Sequence, residues 1–353
     1  MWSWVQENIL RFMQKGGLFR RMGILSKVRG TKLGYRLGRA VLESKIVNGS
    51  KTYQRLYNQR IQKSIKKLEA APPSIVEIGI TNACNSNCIM CPHSLLKEIG
   101  TMKMGLYRKI IDNCSRLKIK SVTLSFFGEP LLDPTLIEKV KYAKSKNMRV
   151  VFFSNASLLT ERWAYDLINS GLDGINISFD AYTKETYEKI RKGLKFDIVK
   201  KNIENLIRIR NKLGRKNPSI CLIFVEMNEN KKEIKDFYKD WKKKVESINL
   251  LNMRNWAGGI EKNSSNSFHC NKRSTRVPCA LLWQKMMVDW NGDVVLCCDD
   301  WDHAMVLGNL KNQTIEEVWK GEKLKNIRKL HVKREFEKIP KCSVCNKKTV
   351  WWL

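Results

Sequence analysis

Residues 81–94 read TNACNSNCIMCPHS, three cysteines in eight positions, directly behind the apolar run SIVEIGI at 74–80. A structural zinc site takes four ligands, so Cys84, Cys88 and Cys91 either borrow a fourth, from His93 or a distant cysteine, or surround a centre left open on one side. A cubane iron–sulfur cluster takes one protein sulfur per iron, and three thiolates would leave one iron free. If the preceding run is a strand of a parallel sheet, the loop sits at the sheet's C-terminal mouth, where α/β barrels place their chemistry.

The sequence that follows supports such a sheet. Strand-like runs at 74–80, 121–127, 149–155, 173–180, 219–226 and 246–252 alternate with helical stretches such as PTLIEKVKYAKSKN, ERWAYDLINSG and FDIVKKNIENLIRIRNK. Strand, helix and strand at this spacing predict parallel βα units with right-handed crossovers. Six units fit an α/β fold built as a partial (β/α)6 barrel, open rather than closed at eight.

With the strands in place, the loop C-x3-C-x2-C resembles the signature of the radical S-adenosylmethionine enzymes. The resemblance covers roughly residues 74–252 and implies that S-adenosylmethionine is the missing ligand, chelating the open iron of a 4Fe-4S cluster held by Cys84, Cys88 and Cys91. SFFGEP resembles the family's GGEP motif with Phe127 for the first glycine, which implies that Gly128, Glu129 and Pro130 hold the methionine amino group. FFSNASLL resembles its TNG turn and NISFDA its SLDG stretch, so Ser154, Asn155, Ser178 and Asp180 would face the ribose and methionyl group. Arg191 in EKIRKG would meet the carboxylate, and Met90 stands where an aromatic residue is common, its thioether suited to packing on adenine. Each motif is weak singly, and their order along successive strands makes the signal.

A polar stretch after residue 253 leads into a second cysteine set. KMMVDW and VVLCC flank Asn291 and Gly292, a hairpin signal, and NQTIEEVWKGEKLKNIRKLH reads as one helix entered through Thr314, with Glu317 at capping-box spacing. Cys279, Cys297, Cys342 and Cys345 would suit zinc or an iron–sulfur cluster by spacing alone. Their pattern, C-x12-G-x4-C followed by C-x2-C, resembles the SPASM module of the same superfamily. Eight residues follow Cys345 and add no further cysteine, so the resemblance is to the shortened, twitch-like form with a single auxiliary 4Fe-4S cluster. Cys298 could replace Cys297 as ligand or stand beside the cluster as a hydrogen-atom donor, while Cys114, Cys221 and Cys270 read as structural. Three regions follow: a basic helical N-terminal extension at 1–72, a core at 73–253, and a loop with the cluster module at 254–353.

The resemblance implies an oxidoreductase or epimerase that cleaves S-adenosylmethionine reductively and takes hydrogen from a substrate. A sugar, aminocyclitol or glycolipid is favoured over a ribosomally made peptide, and an electron donor such as flavodoxin or ferredoxin is required. With 66 Lys and Arg against 34 Asp and Glu the net charge is +32, which attracts anionic partners. Residues 1–70 hold 16 Lys and Arg against 3 Asp and Glu, and Trp2, Val5, Ile9 and Met13 lie at helical spacing. That stretch would pack on the body of the protein or rest on an anionic membrane. A zinc-bearing nucleic-acid binder is the reading from another class, and the ordered βα motifs oppose it. The cysteine pattern and the lack of an apolar run of about 18 residues predict a cytoplasmic protein.

Overall fold

A computed structural model describes residues 51–260 and 276–346; the expected amphipathic stretch at 2–13, Cys270 and the C-terminal tryptophans lie outside them. The chain divides into residues 1–64 with 353, and residues 65–352. A helix, Lys51–Glu69, opens the described chain. All that follows belongs to residues 65–352.

The strands are β1 (Ile75–Ile78), β2 (Asn87–Cys88), β3 (Ser121–Thr123), β4 (Arg149–Ser154), β5 (Gly174–Ser178), β6 (Arg191–Lys192), β7 (Ser219–Glu226), β8 (Ser247–Asn252), β9 (Lys285–Val288), β10 (Asp293–Val295) and β11 (Val306–Asn309). The six long runs read from the sequence are β1, β3, β4, β5, β7 and β8, paired in that order and parallel throughout. Helices Met104–Arg116, Leu136–Ser145, Glu161–Asn169, Phe196–Lys212 and Ile234–Trp241 return the chain between them, giving the α/β partial barrel that the spacing predicted.

Alternation along the strands divides the sheet chemically. Val76, Ile78, Val122, Val150, Phe152, Ile175, Ile177, Ile220, Leu222 and Phe224 share the helix-covered face and are essentially inaccessible. The other face carries Glu77, Phe153, Asn176, Ser178, Cys221 and Asn249, side by side through the pairings Phe153 with Asn176, Asn176 with Cys221, and Ile223 with Asn249. Phe153 there is 40% exposed. One face is therefore core, and the other is open in part, around Phe153 and Asn249, while Thr123, Val151 and Ile223 on it are buried.

The C-terminal cysteine region extends this sheet. β9 lies parallel to β1, pairing Met286 with Val76 and Val288 with Ile78, and β10 and β11 continue antiparallel. The β9–β10 turn is the Asn291 and Gly292 hairpin, with Gly292 at φ +88, a backbone state in which glycine has no Cβ penalty. The helix read as continuous from Thr314 is two, Ile315–Trp319 and Glu322–Lys333, although the Thr314 and Glu317 capping box is formed as expected. Gly321 stands at the break as the extended N-cap of the second helix, φ −67 and ψ 153, where a Cβ would lie 3.0 Å from the Glu317 carbonyl oxygen.

His303 clamps the same hairpin, its Nε2 at 2.8 Å from Asp289 and its Nδ1 at 3.3 Å from Asp293. The hydrogen bond to Asp289, against the opposing effect of burial, holds His303 above the ordinary histidine range, and the Asp289 charge and Asp293 add to the rise. A raised folded value means the stabilisation is fully present below the unfolded pKa of about 6.5 and is lost as pH rises through the folded value. His303→Gln is therefore expected to lower the urea midpoint more at about pH 5.5 than at about pH 9. An equal loss at both would show that protonation contributes nothing to this clamp. Among the described residues no helix is long and apolar enough to cross a membrane.

Candidate functional site

The 81–102 segment crosses the C-terminal end of the sheet and is fastened along its length. Met102 N donates to Ile80 O at 2.7 Å, Asn82 bonds Glu98 O and Gly100 N, and β2 pairs with β6 so that Cys88 lies opposite Arg191. Gly128 permits the closest approach: a Cβ there would lie 2.4 Å from Thr81 O and 2.8 Å from Asn82 Cα. Its φ of +155 adds a second demand for glycine. Glu129 N then donates to Ala83 O at 2.8 Å. The glycine of GEP thus seats the cysteine loop on the end of β3.

Cys84, Cys88 and Cys91 are half-buried. Burial pushes Cys84 up to about 11 and Cys91 up to about 12, and negative charge on the neighbouring cysteines adds to both. Three thiolates gathered here need a cationic centre to become stable as anions, which fits an iron–sulfur core. Cys88 Sγ has Ser86 Oγ at 2.9 Å and accepts from Arg191 Nη1 at 3.5 Å. His93, the nearby candidate for a zinc set, turns its Nε2 to Asn82 O at 2.7 Å. Among the described residues no three His, Cys, Asp or Glu side chains gather closely enough for a single metal ion; a cubane, with one sulfur per iron, asks for thiols set further apart.

The remaining motif residues form a connected polar layer beneath the loop. Glu129 is 1% exposed and accepts from Leu131 N at 3.1 Å, Ser154 Oγ at 2.8 Å and Asn155 N at 2.6 Å. Burial pushes its carboxyl up to about 7, opposed by those bonds and by the Arg191 charge. Asn155 Nδ2 donates to Asn85 Oδ1 at 2.9 Å, linking the cysteine loop to the end of β4. Pro130 opens the 3-10 turn Pro130–Leu132 that Glu129 caps. Ser178 ends β5 on the open face.

Asp180 and Arg191 are held against each other. Asp180 is inaccessible, and its carboxylate takes Val225 N at 2.6 Å and Arg191 Nε at 2.6 Å, with Arg191 Nη2 closer still. Its oxygens are thus engaged by protein donors, and it orients Arg191 toward Cys88. Met90 is buried with Ile190 and Met227, against Cys88, Val225 and Met253.

In the second cysteine set, Cys279 precedes the short helix Leu281–Gln284 that leads into β9, Cys297 follows β10, Cys342 lies in the last helix, Pro340–Val344, and Cys345 caps its end. Burial is the main cause that raises the Cys297 and Cys342 thiols, Cys342 to about 12; Cys279 acts on both, and Cys345 acts on Cys342. Cys298 also acts on Cys297, ahead of Cys279, so the five cysteines form one electrostatic group. Cys298 is turned to Arg254, which donates to its Sγ from Nη1 at 3.4 Å. His331, missed by sequence reasoning, is inaccessible, and burial pushes it down to about 3, so it is neutral. Its Nδ1 accepts from Cys279 N at 3.2 Å, which leaves Nε2 to donate to Cys342 Sγ at 3.3 Å. Such a bond favours the thiolate and would orient it toward a cluster. Only a helical position in KNIRKLH marked His331 beforehand.

The radical SAM superfamily model matches residues 78–240, and the SPASM model, an iron–sulfur cluster-binding domain, matches residues 279–346. Over 282 residues the chain is 24% identical to the S-adenosyl-L-methionine-dependent 2-deoxy-scyllo-inosamine dehydrogenase of Niallia circulans, covering 78% of this chain and 94% of that protein. The GTP 3',8-cyclase of Chlorobaculum tepidum is 30% identical over 138 residues, 37% of this chain and 40% of its own. Among solved structures, BtrN in complex with AdoMet and 2-DOIA matches with a TM-score of 0.55 at 20% identity, over 78% of this chain and 93% of that one. SuiB of Streptococcus suis bound to precursor peptide SuiA matches with a TM-score of 0.62 at 16% identity, over 84% and 75%. At these identities the structural matches speak for the fold.

Proposed function

Because the chain carries a radical SAM domain followed by an iron–sulfur cluster-binding SPASM domain, we propose that it oxidises or epimerises a sugar, aminocyclitol or glycolipid. Cys84, Cys88 and Cys91 would hold the first 4Fe-4S cluster, and Cys279, Cys297, Cys342 and Cys345 an auxiliary one. The first cluster, with S-adenosylmethionine at its open iron, would supply the 5'-deoxyadenosyl radical. Glu129 would receive the methionine amino group, with Gly128, Pro130, Ser154, Asn155, Ser178 and Asp180 around the same ligand, Met90 near its adenine and Arg191, paired with Asp180, toward its carboxylate. A soluble one-electron donor would reduce it.

The open face of the sheet carries the choice of substrate. Asn176 neighbours the exposed ring of Phe153, and Ser178, Cys221 and Asn249 continue a row of neutral hydrogen-bonding groups along the same face. The ionic groups at one side, Glu77 and Lys285, are paired with each other. Neutral donors and acceptors beside an aromatic plane suit a ring that bears hydroxyl groups. The dehydrogenase of Niallia circulans, similar over almost its whole length, bears on the same choice.

The test incubates anaerobically reconstituted protein with S-adenosylmethionine, dithionite and ring-deuterated sugars and aminocyclitols. Deuterium is expected to appear in 5'-deoxyadenosine, with a ketone or an inverted centre in the product. Deuterium transfer from peptides alone would overturn the substrate reading.

A further inference from the structure

The segment 254–258, which follows β8, touches both cysteine groups. Trp256 Nε1 donates to the carbonyl of Met90 at 2.6 Å, one residue before Cys91, and its ring meets the edge of Phe127 at 5.2 Å. The Arg254 guanidinium carbon lies 4.2 Å from the centre of that ring. From the same guanidinium, Nη1 reaches Cys298 Sγ at 3.4 Å and Asp299 Oδ1 at 2.7 Å. Asn255 bonds Val344 O at 2.7 Å and exchanges bonds with Asn346, on either side of Cys345. Trp256 and Ala257 hold φ of +50 and +49, left-handed values that non-glycine residues keep only where their surroundings enforce them.

Asp299 shows what the cation does. It is 1% exposed, and its oxygens lie 3.9 Å from both Cys298 Sγ and Cys345 Sγ. A buried carboxylate against a thiolate group repels any added electron, and Arg254 is the ion-pair partner that cancels it.

We propose that Arg254 is a positioning residue for the auxiliary centre: its guanidinium neutralises Asp299 and stabilises the more negative, reduced state of the cluster held by Cys279, Cys297, Cys342 and Cys345. Stacking on Trp256 fixes that cation relative to the 84–91 loop. This rests on the auxiliary cluster of the proposed function. The charge and hydrogen bonds around its sulfurs are what set such a potential.

The test is an EPR-monitored redox titration of the reconstituted full chain as wild type, Arg254→Gln and Asp299→Asn. Arg254→Gln is expected to shift the auxiliary midpoint to more negative potential and Asp299→Asn to more positive potential, with the S-adenosylmethionine-responsive signal unmoved in both. If one variant fails to assemble the cluster, the sign of the other decides. An assembled variant at the wild-type midpoint, or shifted in the opposite sense, overturns the inference. Loss of the auxiliary cluster from both variants would make the pair structural and overturn it too. Wild-type protein with about four iron per chain would instead remove the auxiliary cluster itself, and with it that part of the proposed function.

Discussion

Replacing Cys84, Cys88 and Cys91 together by alanine is expected to abolish 5'-deoxyadenosine formation and to lower iron from about eight to about four per chain. The fold should survive, because the loop is fastened by other groups. Asn82 with Gly100, His93 with Asn82 O, and Asn85 with Asn155 and Ser157 all remain when the sulfurs go. Burial disfavours ionisation of the Cys84 and Cys91 thiols, and Arg191 beside Cys88 keeps Asp180 as its partner, so the truncation leaves no uncompensated charge. Iron and sulfide analysis, with EPR of the reduced protein before and after S-adenosylmethionine, separates the two centres. The variant should keep an EPR signal that the co-substrate leaves unshifted. Eight iron retained in the variant, or zinc in place of iron in the wild type, would contradict the assignment.

Glu129→Ala is expected to cost both stability and co-substrate binding. The truncation leaves three donors, Asn155 N, Leu131 N and Ser154 Oγ, facing a space sealed from solvent. At about 1–3 kcal/mol for each buried donor without an acceptor, the loss is about 3 kcal/mol or more. Glu129→Gln keeps the shape, and one amide oxygen can serve Ser154 and Leu131 while its NH2 meets Asn155 N. That conflict costs about 1–2 kcal/mol. Urea unfolding should rank wild type, Gln, Ala in falling stability. Equilibrium dialysis should show weakened S-adenosylmethionine binding in both variants, since the amide removes the charge that would face the amino group. Normal binding in Glu129→Gln would mean that the carboxylate serves only to join β4 to the cysteine loop.

Much of this architecture could be read locally. Period-two runs and intervening helical stretches marked the parallel strands, because a strand buried on one face and open on the other must alternate. The capping box at Thr314 and the hairpin at Asn291 and Gly292 are short-range devices, and both formed where expected. The long helix entered through Thr314 stopped at Lys320, and Gly321 turns to extended backbone to begin a second one, a break that the periodicity had carried through. Asp180 is read by motif as facing the co-substrate, and no local pattern announced that Arg191 and Val225 N would hold its oxygens. Motif spacing marks which residue is present but leaves open which neighbour holds its charge.

By itself the sequence determined the unit repeat, the two sets of cysteines and the order of polar motifs along successive strands, because each is written within some ten residues and obeys local geometry. Tertiary structure alone decided that β9 would extend the core sheet beside β1, that His331 would reach Cys342, and that Arg254 would join Trp256 to Asp299. Those contacts bring together residues far apart in the chain. Their partners are selected by buried charge and hydrogen-bond satisfaction, which exist only once the chain has folded.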